Sequence, residues 1–156
     1  MTIYRKQLTP EQALQKLRHY CGYQERCHSE VREKLFNLGV RKSEHDAIVS
    51  TLIEEGYLDE ERFAIAFAGG KFRQNQWGRN KIKYALRQKQ VSDYSVKKAL
   101  KQINEKDYQA VLKKLADEKY ESLKDEQWLV RRKKTMDYLL QKGFEPELVN
   151  KIVRSE

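Results

Sequence analysis

Three stretches of this chain read alike, and that repetition constrains the fold more than any other feature. Leu35-Phe36-Asn37-Leu38-Gly39-Val40, Leu86-Arg87-Gln88-Lys89-Gln90-Val91 and Leu139-Leu140-Gln141-Lys142-Gly143-Phe144 each place a leucine, three residues, a turn residue and then an apolar one. The copies are offset by 51 and 53 residues. Each is followed by a short segment of similar apolar pattern: Ile48/Leu52, Val96/Leu100 and Val149/Val153. The second and third copies align without a gap, whereas the first carries three extra residues in its turn. Amphipathic helices can resemble one another by chance. Even so, a fixed period of about 50 residues is the usual mark of stacked modules, each burying an apolar face on its neighbour. The expected units are 1–57, 58–104 and 105–156, arranged as an elongated, curved body.

The units are helical. Thr9-Pro10-Glu11-Gln12 has the form of a capping box with proline at the first helical position, ahead of Ala13, Leu14, Leu17, Tyr20 and Cys21 on one face. Val31, Leu35 and Leu38 mark a second helix closed by Gly39. Ser43 is the expected cap of a third, which carries Ile48, Val49, Leu52 and Ile53 and ends at Gly56. Asp59, with Glu60 and Glu61, opens a fourth by setting negative charge at the positive end of its dipole. A fifth spans about Gly78 to Lys89 around Ile82, Ala85 and Leu86, and Ser92-Asp93 starts a sixth. Tyr108, Val111, Leu112 and Leu115 define a seventh. Trp128, Leu129, Met136, Leu139 and Leu140 define an eighth that stops at Gly143, and Glu145-Pro146 begins a ninth. No segment alternates apolar and polar residues with period two over any length, so the class is all-α.

Charge is concentrated. The chain carries a net charge of +9, yet residues 1–70 sum to −1 and residues 104–156 to +1. Residues 71–103 hold ten Lys/Arg against Asp93 alone. A general solubilising coat would be spread more evenly; a stretch of one sign suits a polyanionic partner. On a helical wheel, Ile82, Ala85 and Leu86 share one face of the fifth helix, while Asn80, Lys83, Tyr84 and Arg87 point away and Arg79 and Lys81 flank them. Lys71, Arg73, Gln74, Asn75, Gln76 and Trp77 read as a polar linker ahead of it. Trp77 suits two roles equally, a hydrophobic anchor or a platform for an unpaired base. Arg131, Arg132, Lys133 and Lys134 form a smaller basic cluster, offset by Asp125, Glu126 and Asp137.

The run Gly56-Tyr57-Leu58-Asp59-Glu60-Glu61-Arg62-Phe63-Ala64 resembles the signature of the RecX family of recombination regulators, Gly-Tyr-Leu-Asp-Asp/Glu-x-Arg-Phe-Ala. Ala13-Leu14 through Leu38-Gly39 is similar to the family's first helix pair. Gly78-Arg79, Ile82, Leu86 and Lys89 resemble its Gly-x-x-x-Ile-x-x-x-Leu-x-x-Lys segment. The likeness covers most of residues 10–105; beyond that it rests on helical pattern and repeat spacing. Two departures touch helix ends. Cys27, with Glu30 after it, stands where the family places a capping serine, and Lys89-Gln90-Val91 stands for Lys-Gly-Ile. The resemblance implies a partner, a RecA-type recombinase filament on single- or double-stranded DNA, bound in its groove so that assembly or strand exchange is blocked. Within the signature, Gly56, Tyr57, Leu58, Asp59, Arg62 and Phe63 read as mainly structural. Glycine makes the turn, Asp59 caps, Tyr57 and Leu58 cover the joint between modules, Phe63 packs, and Arg62 reaches a carboxylate across that joint.

Partner contact is therefore expected from Lys71, Arg73, Trp77, Arg79, Lys81, Lys83, Tyr84, Arg87, Arg131, Arg132 and Lys133. A DNA-binding protein that needs no recombinase is the competing reading. Enzyme chemistry is poorly supported. Gly69-Gly70-Lys71 lacks the spacing and following Ser/Thr of a phosphate loop. His19, Cys21, Cys27 and His28 do not follow a usual zinc spacing, and Asp59, Glu60 and Glu61 crowd one helix start without a second carboxylate set. No cofactor or metal is implied. Two cysteines make no disulfide framework, though Cys27 at a helix start admits some thiolate character. Residues 1–6 lack the apolar core of a leader, and no run reaches a membrane span's length. A cytoplasmic monomer is expected.

Overall fold

Each repeat closes in the same way. The amide of the apolar residue bonds back to the carbonyl of the leucine five positions earlier: Val40 to Leu35 at 3.0 Å, Val91 to Leu86 at 3.1 Å and Phe144 to Leu139 at 3.2 Å. All three leucines are fully buried, and Val40, Val91 and Phe144 are buried with them. The turn residue before each apolar one is left-handed, with φ of 77° at Gly39, 63° at Gln90 and 100° at Gly143. Glycine takes that conformation freely, whereas Gln90 adopts it against the preference of a side chain bearing Cβ. The repeat is thus a shared hydrogen-bonded turn as well as a shared sequence pattern.

The computed structural model describes residues 8–156; residues 1–6, expected to carry no leader, fall in the stretch 1–7 outside the described residues. Nine helices and no strand are found among the described residues: α1 (Pro10–Tyr23), α2 (His28–Asn37), α3 (Lys42–Glu54), α4 (Glu60–Asn75), α5 (Arg79–Gln88), α6 (Asp93–Lys101), α7 (Glu105–Ser122), α8 (Trp128–Gln141) and α9 (Pro146–Arg154). No helix among them is long and apolar enough to cross a membrane.

Most helix starts follow the sequence signals. Thr9 and Gln12 exchange the reciprocal bonds of a capping box. The side chains of Asp59, Ser92 and Asn104 each accept an amide three residues on. At Cys27 sulfur stands in for the capping oxygen: the thiol faces the Glu30 amide while the Glu30 carboxylate accepts the Cys27 amide at 3.0 Å, completing a capping box. Three expectations are corrected. The third helix is capped at Arg41 rather than Ser43, because the turn that buries Val40 delivers the chain into helix at once. Lys71 to Asn75 are no linker but the last turns of α4, which Phe72 holds down by burial. Trp128 and Leu129, read as core positions of the eighth helix, are 56% and 63% exposed, because the core-facing stripe of α8 begins only at Thr135 and Leu139.

The cores are unequal. Residues of α1, α2 and α3 close around Leu17, Val31, Leu35 and Leu52, joined by Leu58. The remaining six helices share one continuous core, from Phe63 and Phe72 through Ile82, Leu86 and Val96 to Tyr108, Leu112, Leu139, Phe144 and Val153. Between the two bodies the ties are few: buried Cys27, the Ser29 hydroxyl donating to the Lys89 carbonyl at 2.7 Å, Lys89 beside Glu30, and Arg62 paired with Glu25 at 2.6 Å.

Candidate functional site

The signature run sits where these bodies meet. Gly56 turns with φ of 80°, and Tyr57 and Leu58 both bond back to the Leu52 carbonyl. Leu58 packs in the first core and not across the joint, while Tyr57 is 37% exposed. Phe63 is buried in the second core against Phe67. Arg62 crosses the joint to Glu25 and also donates to the Gly56 carbonyl at 2.9 Å. Cys27 is almost fully buried, and burial, only partly offset by its bond to Ser29, pushes its thiol up from the ordinary cysteine range. The thiolate character expected there is thus opposed by desolvation. Among the described residues, no group of three or more His, Cys, Asp or Glu is placed to hold a metal ion.

The basic stretch divides into cations that are spoken for and cations that are not. Arg79 is spoken for. Its guanidinium reaches Glu145 at 2.8 Å and Glu105, and it lies 3.7 Å from the centre of the Tyr108 ring. Its backbone amide donates to the Tyr108 hydroxyl at 3.0 Å, and that hydroxyl donates in turn to Glu145. Burial lowers the arginine's pKa, but the bonds it donates to Glu145 and Glu105 outweigh that and raise it. Tyr108 is pushed well up by burial and by the same Glu145. Arg79, expected on the binding face, therefore joins α5 to α7 and α9, because carboxylates from the third unit converge on the start of α5.

Backbone contacts reinforce this joint. The Gly78 amide donates to the Lys142 carbonyl at 2.8 Å, and the Asn80 amide donates to the Gly143 carbonyl at 2.9 Å. The first orphan amides of α5 are thus satisfied by the turn that ends α8. A Cβ on Gly78 would stand 2.3 Å from backbone atoms of Gly143 and Phe144.

Five more cations of the second unit lie near carboxylates or rings, and a sixth, Arg73, folds back on its own helix. Arg87 is 3.4 Å from Asp93, Lys89 is 3.6 Å from Glu30, and Lys98 is 3.4 Å from Glu61. Arg73 folds its guanidinium back over Gly69. Trp77 is half-buried against the second core, with the ammonium groups of Lys71 and Lys81 at 4.9 and 4.7 Å from its ring centre. Cations occupy the indole, which favours the anchor over the stacking platform. Of the ten cations in 71–103, Lys71, Arg73, Lys81, Lys83, Lys97 and Lys101 have no carboxylate within ion-pair distance among the described residues. Tyr84 is 66% exposed beside Lys83 and Arg87, and Lys97 and Lys101 line a shallow groove along α6.

The second basic cluster is consumed internally. Arg131 donates to the Tyr120 carbonyl at 2.7 Å and lies over that ring, and Arg132 donates to the Arg154 carbonyl and lies over Trp128. Lys133 pairs with Asp137 and Lys134 with Glu126, both within α8 or its approach. Of the residues expected to contact a partner, Arg131 and Arg132 bond within the third unit, to the Tyr120 and Arg154 carbonyls, whereas Lys133 is largely exposed and meets only Asp137 one turn along α8. Sequence reasoning missed Glu105, Tyr108 and Glu145 as partners of Arg79. Helical periodicity marks Tyr108 as core and Glu145 as a helix start, with no signal that they meet.

Known proteins resemble this chain over most of its length. Residues 59–100 match the RecX second three-helix domain and residues 105–153 the RecX third three-helix domain. Regulatory protein RecX of Prosthecochloris aestuarii is 31% identical over 137 residues, covering 88% of each chain. Regulatory protein RecX of Clostridium perfringens strain 13 is 33% identical over 127 residues, which are 80% of this chain and 59% of that protein. This chain thus spans about three-fifths of the clostridial relative's length. Among solved structures, RecX from Lactobacillus salivarius superimposes with a TM-score of 0.85 at 21% identity, covering 94% of this chain and 95% of that one, a likeness of fold. A second RecX crystal structure matches with the same TM-score at 22% identity, over 94% of this chain and 73% of its own. With the signature at 56–64, two matched three-helix domains and the near full-length likeness to the Prosthecochloris protein, this chain belongs to the RecX family of regulatory proteins.

Proposed function

We propose that this chain binds the groove of a RecA-type recombinase filament and inhibits filament assembly, ATP turnover and strand exchange, without catalytic turnover of its own. The exposed face of α5 and α6 supplies its DNA contact. One observation carries the reading: among the described residues, Lys83, Lys97 and Lys101 have no carboxylate within ion-pair distance, and Tyr84 is largely exposed on the same helix as Lys83. Each lysine that meets a phosphate on duplex DNA releases counterions, with a log–log salt slope of about −0.9 per contact. An exposed tyrosine can add about 1–3 kcal/mol by stacking on an unpaired base.

The test adds the chain to recombinase-coated DNA and follows ATP turnover and strand exchange. Loss of both is expected at amounts too small to coat naked DNA. The variant Lys83→Glu/Tyr84→Ala/Arg87→Glu should weaken filament binding and flatten its salt dependence. Arg79 is left intact in that variant, since its change would disrupt the joint. Inhibition only at amounts that coat naked DNA would favour a general DNA-binding protein instead.

A further inference from the structure

Where the second and third units join, two lysines lie over one indole and a third, from a distant part of the chain, reaches the backbone just before it. Lys71 lies in the last turns of α4, Lys81 in the first turn of α5, and Lys142 caps the C-terminus of α8. Lys71 and Lys81 both lie over the Trp77 ring. Lys142 donates to the Asn75 carbonyl at 2.8 Å, two residues before that tryptophan. We propose that Lys71, Lys81 and Lys142 form a phosphate-binding patch for the backbone of a DNA strand, with Trp77 supporting Lys71 and Lys81 and the Asn75 carbonyl holding Lys142. The proposal rests on the reading that this protein works on DNA-bound filaments, and it assigns a specific contact within that reading.

The local charge favours an anionic partner. None of the three ammonium groups has a carboxylate within ion-pair distance among the described residues, whereas Arg79, Arg87, Lys89 and Lys98 of the same unit each have one. The C-termini of α4 and α8 face this cluster, and each contributes about −0.5 of an elementary charge. Three ammonium groups exceed that by roughly two charges, and the start of α5 adds positive potential of its own. Burial first, and then the nearby charge of Lys81, lower the pKa of Lys142 from the ordinary lysine range, which places the Lys142 and Lys81 ammonium groups within electrostatic reach of each other.

The donor set also identifies the anion. An ammonium has three N–H groups, and the Asn75 carbonyl uses one of those on Lys142. Point-like ammonium groups spread over three elements suit the successive phosphates of a nucleic-acid backbone. A planar carboxylate is better matched by a guanidinium fork, and both nearby arginines are turned elsewhere, Arg73 over Gly69 and Arg79 to Glu105 and Glu145. All three lysines and Trp77 are half-buried, so the cluster is reachable yet held in place. Capping of helix ends accounts for one lysine. It does not account for the two that remain.

Trp77 is its own reporter, because Trp128 is the one other tryptophan in the sequence. In full-length protein carrying Trp128→Phe, titration with a short oligodeoxythymidylate at low salt should give a saturable change in Trp77 emission. Adding Lys81→Gln and Lys142→Gln should weaken that binding on the order of tenfold and reduce the salt slope by about 1.4, two contacts at about 0.7 each on a single strand. Circular dichroism and thermal melting of the double variant check its fold, and the single variant Lys71→Gln provides a second reading should it melt early. The proposal is overturned if the double variant binds the oligonucleotide as the parent does, or if Trp77 emission stays constant at saturation. It is also overturned if only binding to recombinase filaments is lost, which would make the cluster a protein contact. A parent protein that binds the oligonucleotide through these lysines but ignores the filament would overturn the proposed function while leaving this site intact.

Discussion

Replacing Gly78 by alanine tests the joint between the second and third units. Gly78 has φ of −77° and ψ of 169°, a conformation any residue adopts, so the variant carries no backbone strain. Its cost is steric. The added methyl carbon would stand 2.3 Å from the Gly143 carbonyl carbon and the Phe144 nitrogen and 2.4 Å from the Gly143 oxygen, all backbone atoms that cannot rotate aside. The turn after α8 must then lift from the start of α5. That weakens the bonds from Gly78 and Asn80 to the Lys142 and Gly143 carbonyls, at about 1 kcal/mol each. Overpacking adds about 1–3 kcal/mol, so the total loss is about 3–5 kcal/mol. For a chain of this size that lowers the melting temperature by roughly 10 °C. Gly22→Ala is the matched control. Gly22 lies near the end of α1 with nothing within 4 Å of where an added methyl carbon would stand, and alanine there should stabilise the helix by about 0.5 kcal/mol. Thermal melts followed by Trp77 fluorescence, in a Trp128→Phe background, report the unit concerned. If Gly78→Ala melts no earlier than the Gly22→Ala protein, the close approach of the two units is not what stabilises the joint, and the reasoning fails.

Two further outcomes follow from the same geometry. Tyr108→Phe keeps the ring contacts with Phe72 and Phe144 but removes the acceptor of the Arg79 amide and the donor to Glu145, and should cost about 1–3 kcal/mol in urea denaturation; an unchanged midpoint would count against a polar latch there. Glu60 accepts the Ser92 amide at 2.8 Å and the Ser92 hydroxyl; burial raises its pKa, but those bonds outweigh burial and hold it below the ordinary carboxylate range. A carboxyl group depressed on folding contributes stability that is full above its unfolded pKa of about 4.3 and is lost as pH falls through the lower folded value. Glu60→Gln should therefore show a shallower loss of stability on acidification than the parent, read from urea midpoints across that window.

Much of the fold was legible because it is local. Thr9, Asp59, Ser92 and Asn104 cap helices through bonds to amides three residues away, so neighbours along the chain contain the whole interaction. The repeated turn is equally local, closing over five residues in all three copies, which is why its leucine and apolar positions could be aligned from sequence. Even there the residue type is not decisive, since Gln90 takes the left-handed position that its counterparts fill with glycine. Where local signals compete, tertiary burial prevailed. Phe72 carries α4 through a polar stretch that looked like a linker, and the turn at Val40 starts α3 before Ser43.

The sequence by itself determined nine amphipathic helices, their order in threes, the signature that marks the family, and the confinement of positive charge to the second unit. Only the tertiary structure decided which of those charges are available. Arg79 meets Glu105 and Glu145, 26 and 66 residues away, and Lys142 reaches Asn75 across 67 residues. Whether a cation faces water, an indole or a carboxylate depends on how finished helices pack. Periodicity along the chain specifies which face of a helix is apolar, but not which polar groups of another helix will lie opposite its charges.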